Sequence, residues 1–327
     1  MKHKLLITGG SGFVAYHIIE AALKQDYDVY VSIRSSSLTA HLKEFHLQFI
    51  SLSFADKTAL TEELKSQQFD YIIHTAGITK AANQQEYDKV NALYTSNLAE
   101  AAMGANIPLK KFVFVSSLAA IGPSNASETE DKPNRVNPVT GYGRSKLLAE
   151  HMLQNVPGLP LITIRPTAVY GPREKDILII LKTISKGLEP YIGNKPQQLS
   201  FVYVKDLATL IINALQSEIV HKTYNISDGN TYDRLALASV TKQIIGNKTI
   251  RFYLPLTIVK VMAGFLEATS AFSKKTPALN REKINELTAS WICNIEPAKR
   301  DLNYMPVYDL QGGLKETLQW YKMNNWI

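Results

Sequence analysis

Tyr142-Gly143-Arg144-Ser145-Lys146 sets a phenol and an ammonium four positions apart. On a helix that spacing places both groups on one face, about 6 Å apart along the axis, so they can act as one unit. The chemistry on offer is proton transfer. A free phenol titrates near about 10, and its use as a base near neutrality asks for a shift of about 3 units, or roughly 4 kcal/mol. One cation at about 4 Å in an effective dielectric near 20 supplies about that much. With 16 tyrosines in the chain, chance alone supplies about one such pair, so the surroundings must decide. Ser116 and Ser117 follow an apolar run at what would be the C-terminal edge of a parallel sheet. Ligands of open α/β folds sit at that edge, and a hydroxyl there orients a substrate oxygen toward Tyr142. The plainer alternative is a pair of serines capping a turn.

A second chemical feature stands at the start of the chain. Thr8-Gly9-Gly10-Ser11-Gly12-Phe13-Val14-Ala15 follows a short apolar run and opens a helical pattern. A dinucleotide pyrophosphate needs glycine at such a turn, because side chains would block the backbone and the free N–H groups of the helix N-terminus stabilise phosphate charge. After the next strand-like run the chain reads Val31-Ser32-Ile33-Arg34-Ser35. A carboxylate there would accept hydrogen bonds from an NAD ribose, whereas an arginine accommodates the 2′-phosphate of NADP. Arg34 therefore points to NADP(H), with NAD(H) as the second expectation.

These groups need a frame to hold them. Six short β-rich runs, Leu5 to Thr8, Val29 to Ile33, Gln48 to Leu52, Tyr71 to Thr75, Lys111 to Ser116 and Leu161 to Arg165, alternate with helical stretches such as Phe13 to Lys24 and Asn91 to Ala105. That rhythm predicts a doubly wound α/β domain with a parallel sheet covered on both faces. Beyond Pro172 it breaks down. Pro190, Gly193 and Pro196 mark loops, a strand and helix follow over Phe201 to Gln216, and the remainder reads as mostly helical. The expected division is a dinucleotide-binding domain over residues 1–171 and 198–224, and a smaller, mostly helical substrate lobe over 172–197 and 225–327. Leu256 to Ser273 is amphipathic, interrupted by Lys260 and Glu267. A core-facing helix is the first expectation for it; a lid or a membrane-touching helix is the other.

Composition limits the alternatives. At 327 residues, 45% hydrophobic and 20% charged, the chain has the make-up of an ordinary globular protein. The single cysteine, Cys293, excludes an internal disulfide and a Cys-rich zinc cluster, and no metal site is expected. Together with the lack of a secretory signal, it fits the cytoplasm. No apolar run approaches the roughly 20 residues needed to span a bilayer. The net charge of +7 comes entirely from residues 151–327, which carry 21 basic against 14 acidic side chains. The longest basic runs are pairs, Lys110-Lys111, Lys274-Lys275 and Lys299-Arg300, which reads as a solvated basic surface and not as a nucleic-acid footprint.

In this order and spacing the motifs resemble the extended short-chain dehydrogenase/reductase family, also called the NAD-dependent epimerase/dehydratase family, over almost the whole chain. The resemblance is carried by the Thr8 to Ala15 loop, His74-Thr75-Ala76-Gly77, Asn91 with Thr95 to Leu98, Ser116 to Gly122, Tyr142 to Lys146 with Glu150, Arg165 to Pro172, and Phe201-Val202-Tyr203-Val204-Lys205-Asp206. It implies a Rossmann-type fold, with Tyr142 as the acid/base, Lys146 holding the nicotinamide ribose and depressing the phenol, and Ser117 polarising the reacting oxygen. The serine-to-tyrosine interval of the family selects Ser117 over Ser116. Gly9, Ser11, Gly12, Phe13, Val14, Arg34, Thr75, Ala76, Gly77 and Pro166, with Tyr142 and Lys146, would bind the dinucleotide. Asn91 matches a motif asparagine and is left outside the catalytic set. The family also often pairs through helices flanking the sheet, which implies a homodimer.

Departures from the family pattern narrow the substrate. Ala15 replaces the third loop glycine. Ser53, with Asp56 close behind, stands where an aspartate often contacts adenine. Leu199-Ser200 replaces the Arg-Asp that grips a nucleotide-sugar diphosphate, and no arginine-rich segment follows around Glu286 to Trp291. From Pro277 through Trp291 to Lys322 the pattern is more similar to the dihydroflavonol reductase and 3β-hydroxysteroid dehydrogenase branch. The leading expectation is thus an NAD(P)-dependent oxidoreductase interconverting a secondary alcohol and a carbonyl in a small-molecule substrate. A nucleotide-sugar 4-epimerase or dehydratase with tightly bound cofactor is the alternative. A non-catalytic cofactor-binding scaffold is the remote one.

Overall fold

The computed structural model describes the backbone of residues 2–124, 136–273 and 280–327, and the side chains of these except 266–273. The Lys274-Lys275 pair, Pro277-Ala278-Leu279 and the side chain of Glu267 lie outside the described residues. The first half alternates strands and helices: β1 (Lys4–Thr8), α1 (Phe13–Lys24), β2 (Asp28–Ser32), β3 (Gln48–Ile50), α2 (Lys57–Gln67), β4 (Tyr71–His74), α3 (Gln84–Asp88), α4 (Tyr94–Gly104), β5 (Lys111–Val115), α5 (Gly141–Gln154) and β6 (Leu161–Pro166). Each of the six strands falls within two residues of its expected place. The rest comprises β7 (Ala168–Tyr170), α6 (Asp176–Ser185), β8 (Leu188–Ile192), β9 (Gln198–Leu199), β10 (Phe201–Tyr203), α7 (Val204–Leu215), β11 (Lys222–Ile226), β12 (Tyr232–Asp233), α8 (Ala236–Ile245), β13 (Ile250–Leu254), α9 (Leu256–Ser273), α10 (Arg281–Thr288), α11 (Glu296–Leu302) and α12 (Leu310–Met323).

Seven strands form one sheet in the order β11-β6-β5-β4-β1-β2-β3, every neighbouring pair parallel. Parallel strands need crossover helices on both faces, so the central runs are apolar throughout and not alternating. Leu5, Ile7, Val31, Val113 and Ile162 pack against α1 and α7 on one face; Leu6, Ile72, Phe112 and Phe114 pack against α2, α4 and α5 on the other. The strand β11, in a region expected to be mostly helical, extends the sheet beyond β6. Only Tyr224 and Ile226 of its five residues are buried, a period-two pattern too short to stand out in the sequence.

The smaller second lobe gathers α6, α8 and α12 around Tyr170, Leu181, Tyr203, Leu314 and Tyr321. Three two-stranded ribbons support it: β7 with β10, β9 with β12, and β8 with β13. The core-facing expectation for α9 is met only in part. Val259 and Ala263 are buried with Ile284 of α10, whereas Ile258, Val261, Met262 and Phe265 are exposed. Ile192 of β8 and Leu256 pack on the same buried cluster. Among the described residues no helix is long and apolar enough to cross a membrane.

Candidate active site

In a parallel sheet all strand ends of one kind share an edge, which is why residues far apart in sequence converge here. Gly9 follows β1, Arg34 follows β2, Thr75 follows β4, Ser117 follows β5, and Pro166 ends β6. The fifth-strand end meets α5 at close quarters. Thr140 caps α5 by accepting a hydrogen bond from the Gly143 N–H (3.1 Å). A Cβ at Gly143 would stand 2.3 Å from the Ala119 carbonyl oxygen, so glycine is what lets the helix lie on the turn Leu118–Ala120. That approach brings Tyr142 to the end of β5, where Ser117 acts on its buried hydroxyl and draws its pKa down against burial. Ser117 also caps the turn, its Oγ accepting from the Ala119 N–H (3.1 Å). Ser116 points elsewhere: its buried hydroxyl donates to Glu150 Oε1 (2.5 Å).

The electrostatics differ from the sequence expectation. Burial of the hydroxyl pushes the Tyr142 phenol up to about 12, with the Ser117 hydrogen bond pulling the other way. Lys146 does not contact the phenol. Its ammonium donates to the Val115 carbonyl (3.0 Å) and lies 4.7 Å over the Phe114 ring. Burial holds that ammonium down to about 8, although Glu150 raises it. One turn of helix puts the two groups on the same face, but tertiary packing aims them at different partners. Burial also depresses His74 to about 3, so its ring is neutral, bridging Thr8 (2.8 Å) and Thr95 (2.9 Å) beneath the sheet edge.

The glycine turn has the form a pyrophosphate requires. Gly9 adopts φ +70°, and a Cβ there would come within 2.8 Å of the Ala76 backbone. Helix α1 begins at Gly12 with no side-chain cap and no acidic residue in its first turn, so its N-terminal N–H groups and positive dipole end are left for an anion. Thr75 Oγ1 donates to the Thr8 carbonyl (2.6 Å), and the Ala76 N–H donates to Thr8 Oγ1 (3.3 Å), which seats the 75–77 turn against the loop. A Cβ at Gly77 would be 3.6 Å from the Lys146 ammonium, so Lys146 faces the same turn. Ser11, Phe13 and Val14 are partly exposed and Gly12 exposed, while Pro166 is buried at its strand end. Arg34 is exposed, and its guanidinium has no ion-pair partner among the described residues.

The departures also have structural roles. Asp56 caps α2 by accepting from the Ala59 N–H (3.0 Å), a role that occupies one carboxylate oxygen. Leu199 pairs with Tyr232, and Ser200 is buried with its hydroxyl on the Asn230 carbonyl (3.2 Å). Arg234, one residue beyond the strand paired with β9, donates to the carbonyls of Lys195 (2.7 Å) and Ile192 (3.1 Å). Instead of arginines, α10 brings carboxylates: Glu282 accepts from the Gly141 N–H (2.7 Å), and the Glu286 charge bears on Tyr142.

Two residues that the sequence names without a role, Glu150 and Asn91, act as supports. Glu150, buried one turn beyond Lys146, binds Arg165 through both carboxylate oxygens as well as Ser116. Its spacing from Lys146 was a usable signal; its partners, 15 and 34 residues away, were not. Asn91 sits in a π-helical turn, Lys89–Leu93, before α4. Its side chain accepts from the Ile78 N–H (2.8 Å) and donates to the Ile78 carbonyl (2.9 Å) and to Ser145 (2.9 Å). It ties the 75–78 turn to α5 as a positioning residue. Among the described residues no group of His, Cys, Asp or Glu could hold a metal.

Comparison with known proteins locates this arrangement. The profile described as "NAD dependent epimerase/dehydratase family" matches residues 5–227. The chain is similar to the UDP-glucose 4-epimerase of Vibrio cholerae, 26% identical, covering 99% of this chain and 97% of that protein. It is similar to the decarboxylating sterol-4-alpha-carboxylate 3-dehydrogenase of Candida albicans, 25% identical, covering 97% of each. Its fold resembles the UDP-glucose 4-epimerase of Thermotoga maritima, solved with UDP-glucose, with a TM-score of 0.80 and 21% identity, covering 98% of this chain and 99% of that one.

Proposed function

The chain belongs to the NAD dependent epimerase/dehydratase family and is an enzyme of that class, and from this premise we propose that it is an NADP(H)-preferring oxidoreductase interconverting a secondary alcohol and a carbonyl. The observation that carries the reading is the meeting of Ser117 and the buried Tyr142 hydroxyl at the strand-end edge, with Lys146 facing the turn beside the glycine loop. The glycine loop and the first turn of α1 would hold the pyrophosphate, Thr75 to Gly77 and Pro166 would line the dinucleotide, Lys146 would hold its nicotinamide ribose, and Arg34 would pair with a 2′-phosphate. When bound, the dinucleotide supplies or accepts the hydride and, oxidised, adds a positive charge beside the phenol. Ser117 holds the substrate oxygen. Tyr142 gives that oxygen a proton as the carbonyl carbon takes the hydride, or removes it in the reverse direction.

Three features favour this over a nucleotide-sugar epimerase. Leu199-Ser200 offers no cation to a diphosphate, Arg234 is engaged by backbone carbonyls, and Glu282 and Glu286 bring negative charge to the same side. The dehydrogenase among the relatives supports the oxidoreductase, while the Vibrio and Thermotoga proteins keep epimerisation as the second reading. The division into residues 1–171 with 198–224 and 172–197 with 225–327 assigns cofactor to the first unit and substrate to the second. Leu93 and Leu148, exposed beside α4 and on α5, support pairing with a second copy, and a reduced Cys293 fits a cytoplasmic enzyme.

Tyr142→Phe tests the assignment. Turnover should fall by about 10²- to 10⁴-fold while reduced-cofactor fluorescence titration is unchanged; retained turnover would refute the role. Net oxidation of NADPH with a carbonyl substrate separates the oxidoreductase from an epimerase, which returns its cofactor unchanged.

A further inference from the structure

We infer that Glu282 of α10 is a positioning residue for Tyr142: with Arg144 and Gln84 it holds both backbone groups of Gly141 and so sets where the phenol stands. The inference rests on the reading of Tyr142 as the proton donor and names the side chain, outside α5, that this role requires. Gly141 and Tyr142 open α5. The N–H groups of a helix's first turn have no partner within the helix, so a buried one must find its acceptor elsewhere. Gly141 is buried, and its N–H donates to Glu282 Oε2 (2.7 Å), 141 positions further along the chain. Thr140, which caps α5, accepts from the Gly143 N–H instead.

The opposite side of the same residue is held as well. The Gly141 carbonyl accepts from Gln84 Nε2 (3.2 Å) at the start of α3. Arg144, one turn further along α5, closes a ring: its guanidinium donates to Glu282 Oε1 (2.6 Å) and, through Nε, to Gln84 Oε1 (3.0 Å). Both carboxylate oxygens of Glu282 are thereby engaged, one by the backbone and one by a cation, and charge-assisted bonds of this kind are short and strong. A Cβ at Gly141 would lie 3.0 Å from Gln84 Oε1 and 3.1 Å from the Tyr87 ring, so the peptide has little room to shift. The residue next to the phenol is clasped between α3 and α10. A tilt of this turn would carry Tyr142 with it.

Helix α10 is itself fixed where it meets the sheet edge. Gln197 Nε2 donates to the carbonyls of Leu287 (2.9 Å) and Ala289 (3.0 Å) at its C-terminal end. The segment that follows is tied to Ser124, just beyond the Leu118–Ala120 turn: the Ser124 N–H donates to the Ser290 carbonyl (3.0 Å), and its hydroxyl donates to the Ile292 carbonyl (2.9 Å). One helical turn beyond Glu282, the Glu286 charge acts on the Tyr142 phenol, which agrees with α10 lying beside it. The Arg144 and Glu282 side chains are 44 and 41% exposed, and pairs so open to water add little to stability. Their contribution is to direction. In the division proposed above, α10 belongs to the substrate side, so the element that shapes the pocket also places the proton donor.

Two measurements on Glu282→Ala, Glu282→Gln, Arg144→Ala and the Glu282→Ala/Arg144→Ala double variant test this. The first is amide hydrogen exchange, which needs no substrate. Glu282→Ala should speed exchange at Gly141 by about tenfold or more, since it removes the acceptor of a buried N–H, while thermal unfolding and NADPH titration stay close to native. The second is steady-state reduction of 4-nitrobenzaldehyde by NADPH. Here kcat should fall by about 10- to 100-fold in Glu282→Ala with KM for NADPH unchanged, and Glu282→Gln, which keeps an acceptor for Gly141, should recover most of the loss. The double variant should be about as slow as Glu282→Ala alone, because the two side chains act on one peptide. Unchanged exchange at Gly141 overturns the inference whatever the kinetics. So does native kcat in Glu282→Ala, a Glu282→Gln as slow as Glu282→Ala, or a matching loss of NADPH affinity, which would mark a merely structural role. The proton-donor reading fails separately: turnover retained in Tyr142→Phe removes it, whereas an inactive Tyr142→Phe beside a fully active Glu282→Ala removes the positioning role alone.

Discussion

At the residue scale, the active-site groups are tuned by burial more than by each other. Lys146 sits near about 8 and Tyr142 near about 12, with the ammonium directed to Val115 and not to the phenol. Carbonyl reduction needs a protonated phenol and a charged lysine, so its rate should be level below pH about 8 and fall as pH rises through that value. Lys146→Arg keeps its charge at high pH and should remove this descending limb from the pH–rate profile, whatever it does to the maximum rate. Arg34 carries a separate prediction. A charged hydrogen bond to a 2′-phosphate contributes about 1.5 to 3 kcal/mol, so Arg34→Ser should weaken NADPH binding by about 10- to 100-fold and leave NADH binding nearly unchanged. Fluorescence titration with both reduced cofactors reads this directly, and equal loss for the two would remove the NADP(H) assignment.

At the element scale, the site depends on how α5 is anchored. Three ties hold it: the Gly143 approach to the Leu118–Ala120 turn, Asn91 bound to Ser145, and the buried Glu150 ion pair with Arg165 of β6. The last links α5 to the sheet and, through Ser116, to the end of β5. Removing one partner of a buried pair leaves an uncompensated charge and costs about 3 to 5 kcal/mol. Glu150→Gln should lower the unfolding free energy by an amount in that range and reduce kcat through misplacement of Tyr142, with urea unfolding and steady-state kinetics as the two measurements. The helices and strands of this half were legible because each has a strong local pattern: Phe13–Lys24 coincides with its expectation. The π-helical turn at Asn91 was not, since an extra residue in one turn leaves no mark on apolar periodicity.

At the scale of the whole molecule, the second lobe is joined by polar contacts that no local pattern announces. Glu189 of β8 is buried and accepts from Lys242 (2.7 Å) of α8, Thr249 (2.7 Å), Arg251 (2.8 Å) of β13 and Tyr191 (2.9 Å). Burial alone would raise its carboxyl, but these bonds outweigh burial and hold it at about 2. A carboxyl lowered on folding binds fewer protons in the native state, so it stabilises above pH about 4.5 and loses that contribution as pH falls toward about 2. Glu189→Gln should therefore destabilise the lobe at neutral pH, and the difference from the native protein should shrink on acidification. All three tryptophans, Trp291, Trp320 and Trp326, lie in this half, so their fluorescence in urea at several pH values follows it.

The sequence by itself determined the six-strand rhythm, the glycine turn and the Tyr142–Lys146 spacing, because these are local patterns. Tertiary structure alone decided that Lys146 turns to Val115, that Glu150 closes on Arg165, that Asp56 caps a helix, and that Ile258, Val261 and Met262 of α9 stay exposed. Those outcomes depend on which groups meet across long stretches of chain, and on how much surface neighbouring elements are left to cover. Neither quantity is present in any local window of residues.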